Sequence, residues 1–314
     1  MSPSPSHEDR VNPTVEACAI TLDYGAGQGV FDISFSTESG VTVLAGNNGA
    51  GKTTLMESLQ GLRRPQSGSA RILGMDTLRH RAQLAVQTGS VLQGVTPYPT
   101  AKPREFLTFL SRLYPTAREA NELMDIFQIP DSRSIKTLSG GEVQRLNCAA
   151  ALVGAPKVVF LDEPTAGLDP GGRADLYGVL REQALQGVVM LITTHLTEDI
   201  DQLADRALVL TQGQLTADIS KKSIASTEAL TFNCRTNLPT AQLLSALPLE
   251  STARETVKGR YLITAPSHIG SEVIATVEAW CAQNGTQAEN LHVGAETLSS
   301  LVLAELSKDS SQIS

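Results

Sequence analysis

Gly46-Asn47-Asn48-Gly49-Ala50-Gly51-Lys52-Thr53-Thr54 is the stretch on which the fold depends. It follows the apolar residues 41–45, which predict a buried strand, and it leads into residues 55–59, which predict a helix. Glycines allow a tight bend, and a helix N-terminus carries partial positive charge, so both favour phosphate. Lys52 can reach the terminal phosphates of a nucleotide, and the Thr53 hydroxyl can ligate Mg²⁺. The stretch predicts a phosphate-binding loop (P-loop). The alternative is an ordinary glycine-rich turn before a helix.

Length and composition fit a globular chain of two domains. The chain has 314 residues, 41% of them hydrophobic, and a formal net charge of −8. An acidic balance of this kind does not suit a nucleic-acid-binding surface, so no nucleic-acid partner is expected. The longest apolar runs have strand length, so no membrane-spanning helix is expected and the chain should be soluble by itself. Residues 1–13 lack a signal-peptide pattern and predict a disordered leader.

The four cysteines lie far apart in the sequence, at Cys18, Cys148, Cys234 and Cys281. The chain has no C-x-x-C motif, and a zinc site would need clustered cysteines or histidines. We therefore expect reduced and mostly buried thiols, as in a protein of a reducing compartment.

Two predicted strands end in polar side chains that could act on a phosphate. Residues 157–161 form an apolar run that ends in Asp162 and Glu163. Ligands gather at the carboxyl ends of parallel strands. Asp162 is therefore placed to support Mg²⁺ and Glu163 to act on a water, unless the pair is merely an acidic turn. The next run, residues 188–193, ends in Thr194 and His195. Taken alone, a histidine there is more often an ordinary strand-end polar group.

Two further features could contact a nucleotide. Tyr24 ends a predicted strand ahead of the glycine-containing loop at residues 25–29, where its ring could stack on a base. Taken alone, a loop tyrosine more often serves packing. Ser139-Gly140-Gly141 opens a predicted helix that runs to residue 153. Bare backbone at a helix N-terminus makes this stretch a second potential anion site.

The order of strands and helices predicts an α/β fold. Strands alternate with helices up to residue 203, and a hairpin of residues 206–210 and 214–218 follows, which predicts a mostly parallel sheet with an antiparallel margin. A helix is predicted at residues 77–84, and two amphipathic helices at residues 104–113 and 119–127 predict an inserted helical subdomain. A linker at residues 221–226 precedes a smaller α+β pattern, in which Trp280 is expected to serve packing and residues 296–306 are predicted to form a final helix. The expected divisions are a leader at 1–13, a nucleotide-binding domain at 14–220 with its helical subdomain at about 94–154, and an accessory domain at 221–314.

In their order along the chain, these motifs resemble the ATP-binding subunit of ABC transporters over about residues 14 to 220. Gln93, Leu138-Ser139-Gly140-Gly141-Glu142, Leu161-Asp162-Glu163-Pro164, Gly167-Leu168-Asp169 and His195 carry the resemblance together with the P-loop. Other P-loop ATPases share the P-loop and the Asp-Glu strand end but lack the Ser-Gly-Gly signature. The resemblance therefore implies a P-loop NTPase fold of the ABC cassette type, with ATP and Mg²⁺ bound.

The resemblance also implies a role for each motif residue. Tyr24 would stack on adenine, and residues Gly46 to Thr54 would hold the phosphates. Thr53, Gln93 and Asp162 would lie near Mg²⁺, with Gln93 also sensing the partner. Glu163 would be the general base and His195 the γ-phosphate contact. Ser139, Gly140 and Gly141 would contact ATP held by the opposite subunit. Glu142 replaces the more common glutamine, which is a familiar variation.

The C-terminal stretch Leu291-His292-Val293-Gly294-Ala295-Glu296-Thr297-Leu298 resembles the accessory domain of the drug-exporter (ABC-2 type) group. This implies an ATPase that drives export through a separate integral-membrane permease, on the cytoplasmic face of the membrane, and that works as a homodimer. An importer subunit and a soluble ABC ATPase without a role in transport stay open as alternatives. A soluble ABC ATPase acting on ribosomes would typically carry two cassettes, and a DNA-repair ATPase would need long heptad segments, neither of which is present in this sequence.

Overall fold

The computed structural model describes residues 15–91, 98–224, 228–265 and 269–310. The leader expected at residues 1–13 lies outside this part of the chain. The strands are β1 (Val15–Gly25), β2 (Gln28–Thr37), β3 (Val41–Gly46), β4 (Ser67–Ile72), β5 (Met75–Asp76), β6 (Thr88–Val91), β7 (Val158–Asp162), β8 (Val189–Thr193), β9 (Arg206–Thr211), β10 (Gln214–Ser220), β11 (Glu228–Asn233), β12 (Thr252–Val257), β13 (Arg260–Ala265) and β14 (Glu289–Ala295). The helices are α1 (Lys52–Leu59), α2 (Arg81–Ala85), α3 (Pro103–Ser111), α4 (Ala120–Ile126), α5 (Gly140–Leu152), α6 (Pro170–Leu185), α7 (Thr197–Leu203), α8 (Thr240–Ala246), α9 (Ser271–Gln283) and α10 (Leu298–Ser310).

A six-stranded sheet in the order β10-β9-β3-β8-β7-β6 forms the centre of the part of the chain in which a nucleotide-binding domain is expected, called the nucleotide-binding region below. Strands β9, β3, β8, β7 and β6 pair in parallel, and β10 pairs antiparallel with β9. All residues of β3, β7 and β8 are buried because helices or a second sheet cover both faces, which explains their continuous apolar sequences. The predicted mostly parallel sheet with an antiparallel margin is confirmed.

A second, antiparallel sheet in the order β2-β1-β4-β5 covers one face of the central sheet together with α1. Its first hairpin is tighter than the loop predicted at residues 25–29. Gly25 pairs with Gln28, so β1 and β2 are joined by Ala26 and Gly27 alone. Tyr24 therefore lies within the end of β1, at the tip of this hairpin.

The other face of the central sheet is covered by helices. Leu107 of α3, Leu123 of α4 and Leu146 of α5 are fully buried in one core, whereas Phe109 of α3 is 60% exposed. Phe106 packs partly against this core. The helical segment predicted between the P-loop and β7 is present, and it keeps an exposed apolar face.

The helix predicted at residues 77–84 is wrong in its first half. The Asp76 carboxylate accepts hydrogen bonds from the backbone N–H of Leu78 and of Arg79, each at 3.0 Å. This side chain stabilises a turn in place of a helix, so that α2 begins only at Arg81.

The C-terminal region contains a four-stranded antiparallel sheet in the order β12-β13-β11-β14 with α8 and α9 on one face. Strand β12 was not predicted, because its sequence Thr-Ala-Arg-Glu-Thr-Val contains little of the apolar alternation typical of a strand. Phe232 and Tyr261 stack at 5.5 Å between ring centroids, and Trp280 meets both rings edge-on. Trp280 is 3% exposed, which confirms its predicted packing role.

The last helix, α10, packs on α7, β9 and β10 of the nucleotide-binding region, and its other side contacts β12. Leu298 and Val302 are buried in the same core as the central sheet. Ser299 donates from its backbone N–H (3.0 Å) and from its hydroxyl (2.6 Å) to the Asp201 carboxylate in α7. Helix α10 therefore joins the two parts of the chain through a shared hydrophobic core and through the hydrogen bonds between Ser299 and Asp201.

The cysteine expectation holds in part. Cys148 and Cys281 are buried, and burial raises the pKa of the Cys148 thiol to about 12. Cys18 is exposed, because the alternation of β1, in which Val15 and Ala17 are buried, places it on the opposite face of the strand. Across the residues described, no helix has both the length and the apolar character needed to cross a bilayer.

Candidate active site

The P-loop connects β3 to α1, as its sequence predicts. Gly51 has a φ of 97°, and a Cβ there would lie 2.6 Å from Val30 Cγ1 and 2.7 Å from the Gly29 carbonyl oxygen. Only glycine fits both the left-handed backbone and this close approach. The hairpin tip between β1 and β2 thus packs directly behind the loop and fixes its curvature.

Lys52 is held inside the loop. Its Nζ donates to the carbonyl oxygens of Gly46 (2.8 Å) and Asn47 (3.1 Å), and the residue is only 8% exposed. Burial lowers the pKa of Lys52, while the nearby Glu163 and Asp162 carboxylates act in the opposite direction. The ammonium group is therefore poorly solvated and lies close to where terminal phosphates would bind, a setting that favours an anionic ligand.

The carboxyl ends of β7 and β8 place two polar side chains beside the P-loop. Asp162 accepts a hydrogen bond from the Thr193 hydroxyl, and its other oxygen lies 3.5 Å from Thr53 Oγ1. A hydroxyl and a carboxylate oxygen thus face the same point, and Mg²⁺ is usually held by one or two such protein oxygens plus phosphate oxygens and waters. These two residues fit a magnesium ion, although the described residues contain no cluster of three or more metal-binding side chains.

Glu163 and His195 form a pair at the same edge. Glu163 Oε1 lies 3.1 Å from His195 Nδ1. The Glu163 backbone is left-handed, with φ of 50°, and its N–H donates to the Thr193 carbonyl oxygen at 3.1 Å. Gln144 of α5 donates its side-chain amide to the Glu163 carbonyl oxygen at 3.3 Å. The carboxylate is thus directed toward the histidine and away from the strand, where it could accept a proton from a water.

These elements surround a cavity of about 920 Å³. It is lined by most of the predicted site residues, namely Tyr24, Gly46, Asn47, Asn48, Gly49, Gly51, Lys52, Thr53, Thr54, Asp162, Glu163 and His195. Ala50 points into the core and is 5% exposed. Gln93 lies outside the described residues.

Several residues of the cavity wall were not predicted from the sequence. Gln28 and Gly29 of the hairpin, Thr197 and Ile200 of α7, and Val302, Leu303 and Leu306 of α10 also line the cavity. An apolar helical pattern was visible for the last segment, but where that helix packs depends on tertiary contacts that local patterns do not encode.

The signature Ser139-Gly140-Gly141 lies apart from this cavity. Ser139 and Gly140 are exposed at the N-terminus of α5. Ser139 Oγ accepts from the Glu142 N–H at 3.2 Å, and the Glu142 carboxylate accepts from the Ser139 N–H at 2.7 Å, which forms a capping box. Although partial burial raises the pKa of Glu142, the hydrogen bonds from Ser139 and the charge of Arg133 lower it overall. The helix end is therefore rigid and open to a ligand from outside the chain.

Comparison with known proteins gives one consistent family. The family described as "ABC transporter" matches residues 30–166. The daunorubicin resistance ATP-binding protein DrrA3 of Streptomyces coeruleorubidus is 31% identical over 301 residues, which cover 91% of this chain and 95% of that protein. The daunorubicin/doxorubicin resistance ATP-binding protein DrrA of Streptomyces peucetius is 36% identical over 218 residues, which cover 65% of this chain and 64% of that protein.

Solved structures agree on the fold of the nucleotide-binding region. An ATP-binding subunit of an ABC transporter superposes with a TM-score of 0.60 at 25% identity, over 67% of this chain and 91% of that one. A dimeric ATP-binding cassette bound to ADP and Pi superposes with a TM-score of 0.59 at 20% identity, over 66% of this chain and 98% of that one. The second likeness concerns the fold alone.

Proposed function

The chain belongs to the ABC transporter family, and on that premise we propose that it is the ATP-hydrolysing subunit that powers export through a separate integral-membrane permease. The observation that carries this proposal is the position of Glu163 at 3.1 Å from His195, on the cavity that also contains Lys52 and Asp162. A base, a cation and a polar strand end that line the same cavity suit transfer of a phosphoryl group to water.

In this proposal the residues of the cavity have separate roles in ATP binding and hydrolysis. The P-loop N–H groups and Lys52 bind the phosphates of ATP, and Tyr24 stacks on adenine. Thr53 and Asp162 would hold Mg²⁺, which when bound would neutralise charge on the phosphates. Glu163 takes a proton from the attacking water, and His195 contacts the γ-phosphate and keeps the Glu163 carboxylate in place.

The signature end of α5 supports a second copy as partner. Ser139 and Gly140 are exposed and do not line the cavity of their own chain. Two copies that meet head-to-tail would bring each signature to the other's γ-phosphate, at a helix N-terminus suited to an anion. We infer a homodimer whose closure on ATP and reopening after hydrolysis drive the permease at the cytoplasmic face of the membrane.

Export is favoured over import by the extent of one alignment. The relative that aligns over 95% of its own length, and therefore across the C-terminal region as well, is a daunorubicin resistance protein. We propose a drug-like small molecule as the cargo, bound by the permease.

Replacing Glu163 with glutamine tests the proposed chemistry. Glu163→Gln keeps the shape of the side chain and removes the base, and general-base assistance is typically worth about 10²–10⁴-fold in rate. We expect ATP binding to persist, turnover to fall by that factor, and an ATP-bound dimer to accumulate on size exclusion.

Glu182→Gln provides the matched control, because it makes the same chemical change at an exposed position on α6. It should turn over ATP at the unmodified rate. Near-normal turnover in Glu163→Gln would show that another group activates the water.

A further inference from the structure

Asp199, in the first turn of α7, is a completely buried carboxylate that the reaction described above does not use. Its Oδ2 accepts hydrogen bonds from the hydroxyls of Thr194 (2.5 Å) and Thr165 (2.6 Å). Its Oδ1 accepts from the Tyr177 hydroxyl at 2.6 Å. A buried carboxylate is costly unless it is well hydrogen-bonded, so these hydroxyls are held firmly to it.

Two of the three hydroxyls belong to the turns that carry Glu163 and His195. Thr165 lies two residues after Glu163, within a turn closed by a hydrogen bond from the Ala166 N–H to the Glu163 carbonyl oxygen (3.1 Å). Thr194 directly precedes His195, and its Oγ1 also accepts from the Leu196 N–H at 3.0 Å. One carboxylate oxygen therefore joins the two turns behind the reacting pair.

The third hydroxyl anchors the carboxylate from outside these turns. Tyr177 lies on α6 and is 7% exposed. Burial, together with the hydrogen bond to Asp199 and its charge, raises the pKa of Tyr177, so the phenol keeps its proton and acts as a donor. Tyr177 thus holds the Asp199 carboxylate from α6, and its hydrogen bond involves neither of the two turns.

We propose that Asp199 is a positioning residue for hydrolysis, which sets the separation of Glu163 and His195 by holding Thr165 and Thr194 on one oxygen. The inference rests on the proposed role of Glu163 as the base. Displacement of a reacting group by about 1 Å can cost on the order of 100-fold in rate, so such a connection matters even though it touches no substrate.

Valine substitutions test the connection, because valine keeps the shape of threonine and removes only the hydroxyl. Thr165→Val and Thr194→Val should each lower kcat by about 10–100-fold and leave the dissociation constant for ATP within about threefold. Thr165→Ser, which restores the hydroxyl, should recover most of the rate. Thr194 lines the cavity and Thr165 does not, so Thr165→Val is the variant whose effect is free of direct contact with ATP.

Tyr177→Phe is the matched control, because it removes a hydrogen bond to the same carboxylate from a residue outside both turns. It should lose thermal stability comparably to the threonine variants and keep kcat within about twofold. If its kcat falls in parallel with its stability, as far as in the threonine variants, Asp199 is merely structural and the inference is wrong. Unchanged kcat in Thr165→Val would overturn it as well.

A Glu163→Gln background separates this inference from the proposed function. There, adding Thr165→Val should cause little further loss of turnover, since the hydroxyl acts through Glu163. Normal turnover in Glu163→Gln alone overturns the assignment of the base. If turnover collapses in Glu163→Gln and falls by a further tenfold when Thr165→Val is added, the positioning role is overturned. The assignment of Glu163 as the base then stands.

Discussion

At the scale of single residues, the entrance of the cavity is set by Tyr24. Its side chain is 50% exposed, and the Arg63 guanidinium carbon lies 5.5 Å from the ring centroid. Arg63 is itself held by an ion pair with Glu57, with Nε and Oε2 2.6 Å apart. The ring is therefore fixed from the side of α1 while half of its surface stays available to a base.

Removal of this ring should weaken nucleotide binding. Stacking of a base on an aromatic side chain is worth about 1–3 kcal/mol, so Tyr24→Ala should raise the dissociation constant for ATP by roughly 5–100-fold. Tyr24→Phe keeps the ring and should bind within about twofold of the unmodified protein. Calorimetric titration measures both. An equal loss in the two variants would assign the effect to the phenol hydroxyl and not to stacking.

Residue patterns predict the polar side chains that line the cavity better than the side chains behind them. Asp162, Glu163 and His195 could be predicted because strand ends of a parallel sheet converge on one edge. Asp199 could not, because an acidic residue in the first turn of a helix usually lies in solvent near the helix dipole. Its burial depends on α6 and on the turn after Glu163, which meet α7 only in the folded protein.

At the scale of elements, the N-terminus of α5 is a rigid surface offered to a partner. A Cβ at Gly141 would lie 2.9 Å from Leu168 Cδ2, whereas a Cβ at Gly140 would have no neighbour within 4 Å. Gly140 is therefore the cleaner position for a test of the signature, since a side chain there leaves the fold undisturbed.

Gly140→Asp should prevent ATP-dependent dimerisation and leave ATP binding by the monomer intact. Its carboxylate would face the γ-phosphate of a partner's ATP, and like charges repel strongly at close range. We expect nucleotide affinity of the monomer to be retained, with ATP-dependent dimerisation and turnover lost, as followed by light scattering and phosphate release. Lys52→Ala is the comparison, because it should lose affinity itself. Equal loss of monomer affinity in the two variants would contradict the role in trans.

The exposed start of the helical subdomain is the surface we propose for the permease. Tyr98, which precedes α3, is 74% exposed, and Phe109, in the second half of α3, is 60% exposed. Tyr98→Asp and Thr100→Asp should weaken co-purification with a co-expressed permease and reduce transport, while basal ATP hydrolysis stays largely unchanged. Leu185→Asp is the control, since Leu185 is an apolar residue of α6 with 85% exposure. Full transport in the first two variants would locate the docking surface elsewhere.

At the scale of the whole molecule, α10 is the element that joins the C-terminal sheet to the nucleotide-binding region. The sequence predicts a helix there, but its partners α7, β9 and β10 lie far away in sequence. The same limit applies to β12, whose polar sequence forms a strand because β13 offers it an edge to pair with. The position of α10 and the formation of β12 are both determined by contacts between segments that lie far apart in sequence, which local patterns do not encode.

Truncation of Leu298 should destabilise the nucleotide-binding region although the residue follows it in sequence. Leu→Ala changes in a core cost about 2–5 kcal/mol, and Leu298 is 2% exposed. Urea unfolding monitored by bound fluorescent ATP should show a lower midpoint for Leu298→Ala. Leu249→Ala, at a position 93% exposed, should leave the midpoint unchanged. A loss confined to the C-terminal sheet would show that α10 does not support the ATP site.

The position of α10 also has a consequence for biosynthesis. The groove on α7, β9 and β10 is complete once Ser220 has been made, yet the helix that fills it begins only at Leu298. At about 5–20 residues per second, a ribosome exposes this apolar groove for on the order of ten seconds before its own helix arrives. We therefore expect stalled nascent chains that are long enough to expose Ser220 but not α10 to be held by chaperones, and chains long enough to expose α10 to be released from them.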